Sequence, residues 1–402
     1  MQTNISQLNP IKGIEIGTTC AGIKQTEKED LTLFSIAPNS TCAAVFTNNA
    51  FCAAPVIVAK QHLESQNPQF LLINSGNANA GTGEQGLQDA LKSCESVAQQ
   101  GKYTKEAVLP FSTGVIGQTL PIEKIQAAVP MAFKNLNAQA WDKAANAIMT
   151  TDLVPKGASQ QLQLQGKTVT ITGIAKGSGM IKPDMATLLV FLATDAEIPQ
   201  TLLQTCLKQA VDQSFNRITV DSDTSTNDAC VLAATGQSGV AINDTTQVDF
   251  AQFQQALTDI CIYLAQAVVK DGEGATKFIT IQVEQGQTEQ ECVDVAYTIA
   301  HSPLVKTAFF ASDANWGRIL AAVGRAGIEN LEINAIQIYL DEVCIVENGG
   351  VAANYTEEQG TQVMSQKEIT IRVLLNRGEQ QTRVWTCDFS YDYVKINAEY
   401  RT

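Results

Sequence analysis

Between residues 167 and 194 two apolar runs bracket a glycine turn, and this pattern constrains the fold more than any other in the chain. Lys167 to Ala175 (KTVTITGIA) is dense in β-branched side chains, which suit a pleated strand. Lys176-Gly177-Ser178-Gly179 follows, with two glycines free to adopt positive φ, and Leu188 to Thr194 reads as a second strand. Sheet must therefore form here. Helical spacing accompanies it at Leu87, Ala90, Leu91, Cys94, Val97 and Ala98. The same spacing recurs after Pro199 (Leu202, Leu203, Cys206, Leu207, Ala210, Val211) and from Phe253 to Val268. Other predicted strands are 71–73, 108–111 (ending in Ser112-Thr113-Gly114), 278–283, 336–345, 369–375 and 384–396, while the small amides and glycines from Asn74 to Gly81 predict a loop. Ser302-Pro303 predicts a helix start. The fold class is α/β or α+β, without internal repeat or biased linker.

Composition narrows the function. Of 402 residues, 45% are apolar and 17% charged, enough for a sizeable core. The formal charge of −14 repels phosphate backbones and anionic lipid, which argues against nucleic acid and membrane as partners. The strongest apolar run, Met185 to Ala193, is about half of the ~20 residues a spanning helix needs. The first residues (MQTNISQLNPIKG) lack the basic start and apolar core of a secretory signal. Ten cysteines contain no C-x-x-C pair and read as buried free thiols of a cytoplasmic protein. Only two histidines, His62 and His301, are present, so a histidine-based metal site is nearly excluded. An enzyme built from this chain needs another base.

The glycine pair at 177 and 179 does not fit a phosphate cradle, because neither G-x-x-x-x-G-K-[ST] nor a helix-opening G-x-G-x-x-G is present. Ala186-Thr187, at the mouth of the second apolar strand, suggests different chemistry. A threonine that begins a chain carries its own base, since an α-amine with a pKa of about 7.7–8.0 can accept the hydroxyl proton. An N→O acyl shift of the Ala186 carbonyl onto the Thr187 hydroxyl, followed by ester hydrolysis, creates that terminus without histidine. Alone, an Ala-Thr dipeptide is too common to decide this.

The segment Lys176 to Phe191 resembles the self-cleavage region of the ornithine acetyltransferases, bifunctional enzymes of arginine biosynthesis that also make N-acetylglutamate. Further blocks match in order: 74–83 (NSGNANAGTG), 111–117 (FSTGVIG), 214–228 (SFNRITVDSDTSTND), 271–277 (DGEGATK), 312–318 (SDANWGR) and 385–402. Departures are His301 in place of an amide, Asp184 in place of Asn, and Ala311 and Ala314 in place of Gly and Pro. The resemblance implies a layered αββα sandwich with a smaller C-terminal α/β part. It also implies scission at Ala186–Thr187 into chains 1–186 and 187–402, two of each forming a heterotetramer. It makes Thr187 the nucleophile, and the Thr113 hydroxyl with the Gly114 N–H the oxyanion hole. Thr150, Lys176, Thr187, Glu273, Asn397 and Thr402 become the substrate contacts, with Lys176 suited to an α-carboxylate. Blander roles exist for most of these: a strand-ending turn at 113–114, a solvated turn lysine at 176, a surface acid at 273 and a loose chain end at 402.

The implied reaction is ping-pong. Thr187 takes the acetyl group of N2-acetylornithine, ornithine leaves, and glutamate collects the acetyl group. No metal or cofactor is expected, and acetyl-CoA is kept as a second candidate donor. Two other readings stand beside this one: an N-terminal-nucleophile amidase or aminopeptidase with water as acceptor, and a nucleotide-binding protein that is never cleaved.

Overall fold

The computed structural model describes residues 1–24, 27–182 and 188–399. Two compact units emerge, Met1–Asn216 with Asp223–Val268, and Arg217–Ser222 with Val269–Thr402.

The first unit has two sheets. One contains β1 (Ile14–Thr19), β2 (Leu31–Ile36), β4 (Phe70–Asn77) and β5 (Val108–Val115), adjacent in that order. The other contains β3 (Thr41–Phe46), β9 (Ala229–Ala234), β8 (Leu189–Thr194), β7 (Lys167–Lys176) and β6 (Lys156–Leu164), also in that order. Phe34, Leu71 and Phe111 of the first sheet pack against Ile174, Phe191 and Val231 of the second. The Phe191 ring lies 5.6 Å from Phe34 and 5.2 Å from Phe111, the latter edge-on.

The helices of this unit are α1 (Ala54–Ser65), α2 (Gly83–Gly101), α3 (Ile122–Lys134), α4 (Trp141–Ala147), α5 (Gln200–Asp212) and, for most of its length, α6 (Val248–Lys270). Cys94 and Val97 of α2 and Val129 of α3 cover the outer face of the first sheet, on Leu33, Leu72 and Val108. On the second sheet, Gln200 and Gln204 of α5 donate side-chain hydrogen bonds to the Cys42 and Ala44 carbonyls of β3. A Cβ on Gly173 of β7 would come 3.3 Å from Leu264 of α6. Helix, sheet, sheet and helix are thus stacked, and β8 and β9 are buried along their whole lengths because both faces are covered.

One expectation fails here. Asn74 to Asn77 continue β4 rather than opening a loop. They pair in parallel with β5, and their polar side chains are satisfied inside: Ser75 Oγ donates to the Ala147 carbonyl (2.6 Å) and Ser112 Oγ to Asn74 Oδ1 (2.5 Å). Small amides look like loop residues only while such partners are out of sight.

The second unit is built on one sheet, β13-β12-β11-β14-β10-β15. Its strands are β10 (Phe278–Gly286), β11 (Gln337–Leu340), β12 (Val343–Glu347), β13 (Gly350–Val351), β14 (Glu368–Leu374) and β15 (Gln380–Cys387). Helices α7 (Glu289–Ala300), α8 (Pro303–Phe310), α9 (Trp316–Gly324), α10 (Glu357–Met364) and α11 (Tyr391–Ala398) accompany it. Val295, Ile299, Phe309 and Val323 pack with Ile281 and Val373 of the sheet. Ser302 caps α8 through its side chain with Pro303 at the first helical position, as the sequence predicts. Two predicted strands are divided. Residues 336–345 form the hairpin β11–β12, turning at Asp341 (φ +48°). Residues 384–396 split into the end of β15 and α11, and the exposed Tyr391 and Val394 of α11 gave the apolar alternation that reads as strand.

Candidate active site

Gly114 ends the apolar part of β5 with φ +133°, where a Cβ would lie 2.3 Å from the carbonyl carbon of Gly76 and 2.5 Å from the Asn77 nitrogen. Only glycine fits so close an approach. Thr113 before it is buried, and its Oγ1 accepts a hydrogen bond from Lys176 Nζ at 3.2 Å. An ammonium can only donate, so the hydroxyl proton of Thr113 is left to point elsewhere, as an oxyanion donor requires. Lys176, the last residue of β7, is 9% exposed and no solvated turn lysine.

Asp152 organises this corner, and the sequence reading missed it. One carboxylate oxygen accepts from Lys156 Nζ and the Gly177 N–H, both at 2.7 Å. The other accepts the Thr150 N–H at 3.1 Å and lies 4.0 Å from Lys176 Nζ. Burial alone would raise this carboxyl, but the Lys176 and Lys156 ammoniums, with the bonds from Lys156 and Gly177, hold it below the ordinary carboxylate range. Asp152 thereby fixes the half-buried Thr150 and the entry to the glycine turn together. The only advance signal is the four-residue spacing from Asp152 to Lys156.

The block ending in Asn227-Asp228 braces the same strand ends. Asn227 Nδ2 donates to the Ala78 and Ser112 carbonyls at 2.6 and 3.0 Å. Asp228 is 3% exposed, and its Oδ2 has no partner among the described residues. Burial pushes its carboxyl well above the usual range, against a Ser225 hydrogen bond and the Lys176 charge. His62 is a structural tie: buried in α1, its Nδ1 donates to the Val108 carbonyl at 2.7 Å.

In the second unit Glu273 is buried, and its Oε2 accepts from Asn397 Nδ2 at 2.8 Å. Gly274 has φ +68°, and a Cβ there would meet the Tyr393 nitrogen at 2.5 Å. Ser390 Oγ donates to the Gly274 carbonyl at 2.6 Å, and Asp388 receives the Thr276 and Lys277 N–H groups at 2.8 and 2.9 Å. The chain after β15 is thus laced to the turn that carries Glu273. Within their units, then, Thr113, Gly114, Thr150 and Lys176 are gathered, and so are Glu273 and Asn397. Ala186, Thr187 and Thr402 lie outside the described residues. Among the described residues no group of three or more His, Cys, Asp or Glu is placed to hold a metal ion, and no helix is long and apolar enough to cross a membrane.

Fold and cluster together define a class, the αββα proteins that gather their polar machinery at the ends of strands in two facing sheets. Within that class the chain belongs to the ArgJ family, which it matches over residues 15–402. It is 53% identical over 396 residues to the arginine biosynthesis bifunctional protein ArgJ of Pseudomonas syringae pathovar tomato, covering 98% of each chain. It is 56% identical to the protein of that name from Methylococcus capsulatus, covering 98% of this chain and 97% of the relative. A crystal structure of the Bacillus halodurans ArgJ protein is similar over 51% of this chain and 96% of its own, at 39% identity and a TM-score of 0.49.

Proposed function

We propose that this chain is a glutamate N-acetyltransferase of arginine biosynthesis, acting on the small molecules N2-acetylornithine and glutamate. Family membership over nearly the whole chain supports that reading, and one observation of the site carries it: the Lys176–Thr113 contact beside a glycine that nothing else can replace.

In this reading the chain breaks between Ala186 and Thr187, leaving residues 1–186 and 187–402 as separate polypeptides. The freed α-amine of Thr187 takes the hydroxyl proton as the oxygen attacks the acetyl carbonyl. The Thr113 hydroxyl and the Gly114 N–H receive the developing alkoxide, a contribution worth ~10²–10³ in rate for each donor. Lys176 faces the substrate α-carboxylate and Glu273 an ammonium, with Thr150, Asn397 and Thr402 completing the contacts. Collapse expels ornithine and leaves acetyl-Thr187. Glutamate, carrying the same amino-acid head, enters and attacks the ester, and N-acetylglutamate departs. No step requires a metal or cofactor. Acetyl-CoA is a second donor to be assayed. A cytoplasmic assembly of two copies of each cleaved chain completes the proposal.

The test couples mass to transfer. Intact-mass analysis is expected to find a chain beginning at Thr187, and labelled acetyl is expected to move from N-acetylornithine to glutamate. A fully active preparation without that break would overturn the mechanism. Loss of label to water without transfer to glutamate would instead make the protein an amidase.

A further inference from the structure

Lys24 is a cation beside the oxyanion turn for which the reaction above has no use. Its loop is fixed: the buried Asp30 carboxylate accepts the Ala21, Ile23 and Lys24 N–H groups at 2.6, 2.6 and 3.0 Å, while the Asp30 carbonyl accepts the Ser75 N–H at 2.9 Å. The side chain lies against Gly76, where an added Cβ would stand 3.1 Å from Lys24 Cγ, and Gly76 is the residue that Gly114 approaches so closely. Nζ donates to the Ala147 carbonyl at 3.1 Å and, more weakly, to the Glu29 carbonyl at 3.4 Å. Ala147 also accepts Ser75 Oγ and lies three residues before Thr150. An ammonium has three donors, and two carbonyls occupy two of them.

The charges around it do not balance. Asp30 and Asp152 are the leading acids acting on Lys24, against the cations Lys28 and Lys176. Lys156 occupies Asp152 directly, and Asp228, which also faces the Lys176 charge, is pushed toward its neutral form by burial. Cations exceed carboxylates, so the corner suits a ligand with more than one negative group.

We propose, resting on the acetyltransferase reading above, that Lys24 is a specificity-determining residue that receives the side-chain carboxylate of glutamate in the second half-reaction. Glutamate brings two carboxylates and N-acetylornithine one, so a second cation beyond Lys176 is needed for the acceptor alone. Lys24 must also not repel the side-chain ammonium of ornithine, the group assigned above to Glu273. Burial, opposed by Asp30, brings Lys24 down to about 8. Shedding its proton at pH 7 then costs about tenfold in affinity, against over a thousandfold for a lysine at its ordinary value.

Ping-pong kinetics separate the two halves. For Lys24→Met, kcat/KM for glutamate is expected to fall ten- to a hundredfold, while kcat/KM for N-acetylornithine stays within threefold or rises. Preference for glutamate over glutamine as acceptor should fall in parallel. Lys24→Gln, which keeps a polar donor without the charge, is to show the same split, so a packing defect in the Met variant does not decide the matter. Equal losses for both substrates, or none for glutamate, overturn the assignment. Failure of the wild-type protein to move acetyl to glutamate at all would sink the acetyltransferase reading instead.

Discussion

Asp152 and Asp228 are two buried carboxyls pushed in opposite directions, and their effects on stability have opposite signs. Asp152 is held below the ordinary range, so its stabilisation is present above the unfolded value of about 3.9 and disappears as pH falls through the lower folded value. Asp152→Asn leaves Lys156 and Lys176 uncompensated. The variant is expected to lose about 3–5 kcal/mol at pH 7, with the gap to wild type closing only in strong acid, as thermal unfolding across pH will report. Asp228 is raised, so the native state loses stability as pH climbs from about 4 toward its folded value. Asp228→Asn removes that loss, and its Tm at pH 8 should equal or exceed wild type. Gly114→Ala is a third test: the Cβ meets Gly76 backbone at 2.3 Å, so acetyl transfer should fall by at least ~10²-fold if the chain still folds. Little of this was legible in advance. Thr113, Gly114 and Lys176 stand in recognisable blocks, but the partners of Asp152 include Gly177, which only the fold brings near. Asp228 closes a recognisable block too, but nothing in that block tells that the carboxyl is buried just ahead of β9.

Elements with periodic faces were legible, and those with satisfied polar interiors were not. α5 and α8 follow their apolar spacing and cap, and β7 follows its β-branched run. β4 hides its last four residues behind Asn and Ser, and α11 was misread because apolar residues that face solvent carry no information about burial. The same burial governs the thiols. All ten cysteines are free, seven of them buried in these elements. Burial pushes Cys42 on β3 and Cys206 on α5 up to about 12, which removes the reactive thiolate. A thiol-titrating disulfide reagent should therefore find one fast group, the exposed Cys20, with Cys52 and Cys344 slower and the rest appearing only on unfolding. Rapid titration of three or more groups in the native protein would contradict this packing.

At the scale of the chain, the proposed break falls between two neighbouring strands of one sheet and need not separate its products. β7 precedes it and β8 follows it, paired antiparallel from Lys176 opposite Leu189, while β3 pairs with β9 along six residues. Two bands on a denaturing gel should accordingly elute as one species under native conditions, and separate native elution of 1–186 would refute it. The strand order has another consequence, for synthesis. β3 is translated about 180 residues before β9, the neighbour that covers its edge, an interval of roughly 10–40 s at ribosomal speed. Throughout that wait the segment TCAAVF is an apolar strand with nothing beside it, while every residue of its eventual partner is still unmade. Nascent chains stalled before residue 229 should bind holdase chaperones and precipitate when released, and chains stalled well beyond it should not.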